Sequence, residues 1–153
     1  MIELPHTVVG ATIAIKIGNP ALALPLSFLS HFLVDLLPHW NPHIFKEKQK
    51  FGKISTSSKT IIVTDSLLSL IIGSLISLRA YPDWGGILTI LMACFLAILP
   101  DLIEAPYFFA KFKNPKLLNY INFHRHFQVK ASFWVGIITQ IIVVVVCLYL
   151  IFA

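Results

Sequence analysis

His31 and Asp35 stand four residues apart in SHFLVDLLPHWNPH, residues 30–43, and His39 follows four later. Residues at i and i+4 share one face of a helix. An imidazole and a carboxylate held there can bind one divalent ion, or the carboxylate can orient the imidazole from behind. The alternative is a His–Asp hydrogen bond that fastens helix to helix. Pro38 is expected to end the helix before His39. In AILPDLIEAP, residues 97–106, Asp101 and Glu104 are three apart, again on one face, between Pro100 and Pro106. Carboxylates this close repel unless a cation or a shared proton intervenes. Otherwise they mark a helix end that faces water.

NFHRHFQ, residues 122–128, supplies His124 and His126. On a helix these two point to different sides; on an extended loop they share one. At least one can reach a site, with Arg125 available for an anionic substrate group. The other reading is a basic interfacial anchor beside Phe123 and Phe127. Asp65 is a lone acid in IIVTDSLLSL, residues 61–70. It is open to three roles: metal ligand, partner of a histidine, or an acid at a helix terminus. His6 stands at the entrance of the first apolar segment.

The elements that carry these residues are apolar. The chain has 153 residues, 57% hydrophobic and 12% charged. Soluble domains carry about 25% charged residues, so a water-facing surface cannot be covered and the bilayer must serve as solvent. Two cysteines, Cys94 and Cys147, lie in apolar runs without finger spacing, which argues against a zinc finger and a disulfide framework. The opening MIELPH has no basic region and reads as mature sequence rather than a signal peptide.

A span needs about 20 apolar residues. Four stretches qualify: residues 20–38, 60–78, 87–106 and 131–152. A shorter piece, residues 7–17, contains Lys16 and is separated from the next by Gly18-Asn19-Pro20. The expectation is all-α: a single integral-membrane domain, residues 1–153, built as a polytopic bundle of about five helices. The Ser/Thr-rich residues 54–60 fit a loop that ends in a helix N-cap.

Lysines set the orientation. Lys46, Lys48, Lys50, Lys53 and Lys59 crowd one loop, and Lys111, Lys113, Lys116, Arg125 and Lys130 another. Two helices separate these loops, so both lie on one side, which the positive-inside rule makes cytoplasmic. The net charge of +5 therefore reads as membrane orientation, and no nucleic-acid partner is expected. The implied location is the cytoplasmic (inner) membrane of a prokaryotic-type cell. His6, His31, Asp35, His39, Asp65, Asp101, Glu104, His124 and His126 then all fall near the cytoplasmic face. Ionisable groups at membrane depth are costly and point to function.

HTVVGATIA at the start, SHFLVDLLPH, LPDL and HRH resemble the family of membrane-bound metal-dependent hydrolases. These are small polytopic proteins with a leading His-x-x-x-Gly, a helical His-x-x-x-Asp, a Leu-Pro-Asp motif and a His-Arg motif. The family is distantly similar to zinc phospholipase C and P1 nuclease, helical phosphoesterases with clustered zinc ions. The resemblance implies His6, His31, Asp35, Asp101 and His124 as ligands or close partners. The family's His-Arg-Gly-x-x-His is reduced here to His124-Arg125-His126, with Gln128 following. Glu104 stands near the place of a second Asp after Leu-Pro-Asp.

The expected function is metal-dependent hydrolysis, with zinc as the favoured divalent ion. Asp35, Asp65 or Glu104 would act as general base. Arg125, His126 and His39 are the substrate-binding candidates. A phosphoester or lipid-like substrate fits the depth of the site, and no Gly-x-Ser-x-Gly elbow suggests acyl chemistry. The alternatives are a divalent-cation or proton transporter or channel subunit, and a non-catalytic membrane protein that binds a partner through its basic loops. The topology is testable. Single cysteines introduced beside Lys48 or Lys116 should resist a membrane-impermeant label in intact cells; labelling from outside overturns the orientation.

Overall fold

Gly18 and Asn19 make the first decision of the fold. Helix α1, Glu3–Ile17, stops at Gly18, whose φ of 67° is left-handed and suits glycine. The Asn19 side chain then accepts the Ala21 N–H, and Pro20 occupies the first turn of α2, Pro20–Asp35. The result is a helical hairpin. Its two free ends meet: the His6 ring near the start of α1 stacks on the His31 ring near the end of α2, with centroids 4.0 Å apart.

The computed structural model describes residues 1–110, 112 and 114–153. After the hairpin come α3, Ile44–Phe51, and α4, Thr56–Ser77, which tightens into a 3-10 turn at Leu78–Ala80. Then follow α5, Trp84–Phe109, α6, Pro115–His124, and α7, Phe133–Phe152. Among the described residues the chain is an all-helical bundle, with one isolated bridge between His39 and Lys130. Lys111 and Lys113, counted above in the second basic loop, lie outside the described residues.

Three segments are long and apolar enough to cross a membrane: Thr56–Ala80, Trp84–Phe109 and Phe133–Phe152. The expected span over residues 20–38 is shorter. Helix α2 ends at Asp35, whose carbonyl accepts the Val129 N–H from outside the helix. At about 1.5 Å per residue, its 16 residues reach roughly 24 Å. The helix count also exceeds five, because the two basic loops contain α3 and α6. Helix α3 works as a clasp. Glu47 accepts the Ser55 N–H and the Ser58 hydroxyl, both at 2.8 Å, at the start of α4. Lys48 donates to the Phe108 carbonyl at 2.9 Å at the end of α5. Ser55 caps α4, as the Ser/Thr-rich segment implied.

Helix α1 is the centre of the bundle and packs against α2, α4, α5 and α7. Its buried face is small: Val8, Ala11 and Ala14 meet Ala23, Ala93, Cys94 and Ile90. Small residues let helix backbones approach, and in lipid that close packing drives association. Gly10 marks the tightest approach. A Cβ there would lie 2.6 Å from the Ala93 carbonyl oxygen and 2.9 Å from the Ala97 Cβ. Both cysteines are free and buried. Outside, Leu22, Leu26, Leu29 and Leu33 line the exposed face of α2, and Leu67, Leu70 and Ile71 that of α4. Ile138, Ile141, Ile142 and Val145 do the same on α7. An apolar belt of this extent matches hydrocarbon, not water.

Gly10→Val should cost about 1–3 kcal/mol or more through overpacking against α5. Leu70→Ala, on the lipid-facing surface, should change little. Thermal unfolding in detergent compares the two, and equal losses would remove the close-approach account.

Candidate metal centre

The carboxylate of Asp35 is the focus of the site. It sits on the last residue of α2 and is fully buried. Four imidazole Nε2 atoms surround it. His6 lies 3.3 Å and His39 3.8 Å from Oδ1; His124 lies 3.1 Å and His31 3.6 Å from Oδ2. All four rings are buried. The Met1 amino group also contacts Oδ1. Positive charge therefore already sits against this carboxylate.

Separate elements bring the rings in. His31 is one turn before Asp35 on α2, as the i, i+4 spacing predicts. His6 enters from α1, brought close by the Gly10 contact with α5. His124 is the last residue of α6. His39 is beyond the helix, yet it is not loose. Its N–H donates to the Val129 carbonyl at 3.0 Å, and its carbonyl accepts the Ala131 N–H at 2.9 Å.

Three of the tautomers follow from their partners. The Nδ1 atoms of His31 and His39 lie 2.7 Å and 2.9 Å from the carbonyl oxygens of Ala97 and Leu37. A carbonyl only accepts, so each Nδ1 carries the hydrogen and each Nε2 keeps a lone pair. His124 Nδ1 lies 2.8 Å from Glu104 Oε1, a carboxylate–imidazole pair of the kind that orients metal ligands. The lone-pair nitrogens thus converge on Asp35. His31 Nε2 and His124 Nε2 are 3.0 Å apart, too close for two facing lone pairs without a proton or cation between them. Both ring nitrogens of His6 and Nε2 of His39 are buried without a hydrogen-bond partner. Buried polar atoms rarely stay unpaired.

This donor set fits a divalent ion. Two trios have one ligand atom each within 4.8 Å of one another: His6, His31 and Asp101, and His31, Asp35 and His124. Imidazole with carboxylate suits zinc and similar ions. Burial and then the Met1 ammonium push the His39 imidazole down to about 4, so it is a neutral donor at physiological pH. For His124 burial opposes charging, but the hydrogen bonds with Asp35 and Glu104 outweigh it and raise the imidazole to about 10. In the metal-free protein a proton takes the cation's place there.

Asp101 bounds the cluster on the open side. Its Oδ1 is 3.8 Å from His31 Nε2 and 3.9 Å from His124 Nδ1, and its side chain is 24% exposed. It faces a cavity of about 140 Å³ also lined by Glu104, Asp65, Arg125, Lys46 and Lys130. Asp65 lies on the cavity wall, apart from the imidazoles. Its carboxylate accepts the N–H groups of Glu3 and Leu4, so it caps the start of α1. His126 is exposed and its Nδ1 lies 2.7 Å from the Asn122 carbonyl, away from His124. The two histidines of HRH do point to different sides. His39, set among the substrate candidates above, stands with the other imidazoles around Asp35.

Gln140 was not singled out from the sequence as part of the site. It is buried on α7, accepts the Ile2 N–H at 3.1 Å and donates to the Trp40 carbonyl at 3.1 Å. It thereby ties the N-terminal segment to the His39 strap. The available signal was a single amide in the most apolar helix of the chain.

No protein-family model, curated protein or solved structure matches this chain. The residues themselves carry the functional argument.

The raised His124 sets a pH window in the metal-free protein. Its folded value, about 10, exceeds the ordinary 6.5. Its stabilising contribution is therefore complete below pH 6.5 and is lost as pH rises through 10. Glu104→Gln removes one of the three carboxylates, Asp35, Glu104 and Asp101, that raise it. Thermal midpoints of chelator-treated protein should fall less steeply between pH 6.5 and 10 in this variant than in wild type. Equal slopes would exclude Glu104 as the cause.

Proposed function

We propose that the chain is a membrane-embedded, divalent-metal-dependent hydrolase acting on a phosphoester or lipid-like substrate at the cytoplasmic face. The observation that carries this reading is the convergence of four imidazole Nε2 atoms on one buried carboxylate. The resemblance of the His, Asp and Leu-Pro-Asp motifs to membrane-bound metal-dependent hydrolases supports it independently.

His6, His31, Asp35, His39, Asp101 and His124 would hold the metal, with zinc favoured by the ligand types. The chemistry such an ion would supply there is polarisation of a phosphoryl or acyl oxygen and acidification of a water near neutral pH. The chain's own residues do the rest. Glu104 holds the His124 ring through Nδ1, and Ala97 and Leu37 hold His31 and His39. Asp35 fixes the ring of imidazoles and is closed to solvent. Asp101 is the carboxylate beside them that opens to the cavity. Arg125 is within reach of an anionic group in that cavity. A bilayer-facing location follows from the apolar belt, and the basic α3 and α6 segments support a cytoplasmic site.

Hydrolysis is favoured over transport by the packing beneath the histidines. Val8, Ala11, Ala14, Ile90 and Ala93 fill the bundle there, and the buried hydroxyls of Thr12, Ser27 and Ser77 are bonded to carbonyls, whereas a conduction path needs polar groups open through its depth.

Asp35→Asn keeps the shape and removes the charge. Metal content of detergent-purified protein should be at least one divalent ion per chain in wild type. The variant should bind that ion about 10–100-fold more weakly, with a matching loss of chelator-sensitive hydrolysis. Wild-type protein without stoichiometric metal would overturn the proposal.

A further inference from the structure

The cavity beside the imidazoles is lined by charges of both signs. Four carboxylates line it, those of Glu3, Asp65, Asp101 and Glu104, with three cations, Lys46, Arg125 and Lys130. Asp101 and Glu104 stand beside the imidazoles, and Asp65 is held by the Glu3 and Leu4 N–H groups. None of these three cations forms an ion pair with a carboxylate among the described residues. Arg125 instead lies over the Phe45 ring, 4.0 Å from its centroid. A stacked guanidinium keeps its N–H edge for a ligand. Lys130 feels both Lys46 and Arg125 as repelling charges. The cations are tied to the metal centre by the chain itself. Arg125 follows His124 directly, and Lys130 is bridged to His39. The remaining wall is apolar, with Ile44, Ile62, Phe108 and Phe109.

We infer that this cavity is a headgroup subsite selecting an amphiphile whose phosphate carries more than one negative charge, a phosphomonoester or a pyrophosphate, over a singly charged diester. Three cations without carboxylate partners, two of them repelling Lys130, call for more than one compensating charge. A phosphomonoester supplies about −1.5 to −2 at neutral pH, and a diester supplies one. Asp101 and Glu104 repel such a group unless the site beside them is positively charged, so the phosphate belongs between the cations and the imidazoles. Ile62, Phe108 and Phe109 belong to the apolar helices α4 and α5, where an acyl or prenyl chain meets hydrocarbon. The inference names the substrate class for the hydrolase proposed above and rests on that site, but binding tests it without turnover.

The full chain in detergent would be titrated with nanodiscs of phosphatidylcholine containing equal mole fractions of either phosphatidic acid or phosphatidylglycerol, and separately with inorganic phosphate and pyrophosphate. Wild type should bind phosphatidic acid nanodiscs roughly tenfold more tightly than phosphatidylglycerol ones, as one extra charge-assisted contact gives. Lys46→Gln/Arg125→Gln/Lys130→Gln should abolish the preference. Lys50→Gln/Lys53→Gln/Lys59→Gln removes the same charge from exposed positions outside the cavity and should keep it. Loss of preference in both triple variants would reduce the effect to general surface attraction and overturn the subsite. So would no preference in wild type, or free phosphate or pyrophosphate binding as tightly as the nanodisc lipid. Lipid selectivity without chelator-sensitive turnover sinks the hydrolase reading and leaves the subsite standing. Turnover without selectivity does the reverse.

Discussion

A carboxylate with no access to water must be surrounded by something that compensates its charge, and Asp35 imposes that demand on one whole end of the bundle. Burying an isolated charge costs many kcal/mol, so four histidines and an ammonium gather around it. Each ring is then held from behind by a carbonyl, by a carboxylate or by packing. The site is built in layers: a buried acid, a shell of imidazoles, and the backbone and Glu104 that orient them.

The rest of the fold keeps that end assembled. Helix α1 brings His6 down the centre of the bundle only because Gly10 lets it approach α5. Gly136 plays a similar part on α7, where a Cβ would collide with the Trp40 backbone nitrogen at 2.2 Å. That contact seats the segment carrying His39. Gln140 and the bridge to Lys130 fasten the same segment from other sides. The short helices α3 and α6 are not spans. They close the end of the bundle that carries the site, one by capping α4 and α5, the other by delivering His124.

Polar and apolar functions are separated along the membrane normal. Small residues pack the bundle beyond the imidazoles, leucines and isoleucines face outward, and the histidines and acids of the site gather at one end, with Arg79 and Asp83 at the other. A cavity that joins acids, cations and apolar walls is the natural product where these zones meet.

Much of this was legible in the sequence, for physical reasons. Apolar length and low charge require helices in a membrane, because each helix satisfies its own backbone. The i, i+4 spacing puts His31 and Asp35 on one face in any helix, and lysine asymmetry places the acids and histidines at one depth. Depth, however, is one coordinate of three. Whether His6 faces His31, whether Asp65 joins the imidazoles or caps α1, and whether His39 is held beyond its helix all depend on rotations about helix axes. Those rotations are set by close contacts such as Gly10 against Ala93 and by the strap of Val129 and Ala131 on His39. Such contacts join residues far apart in the chain, and no local pattern encodes them. The sequence by itself determined the solvent, the elements and the chemical types at the site. Tertiary packing alone decided which nitrogens point at Asp35.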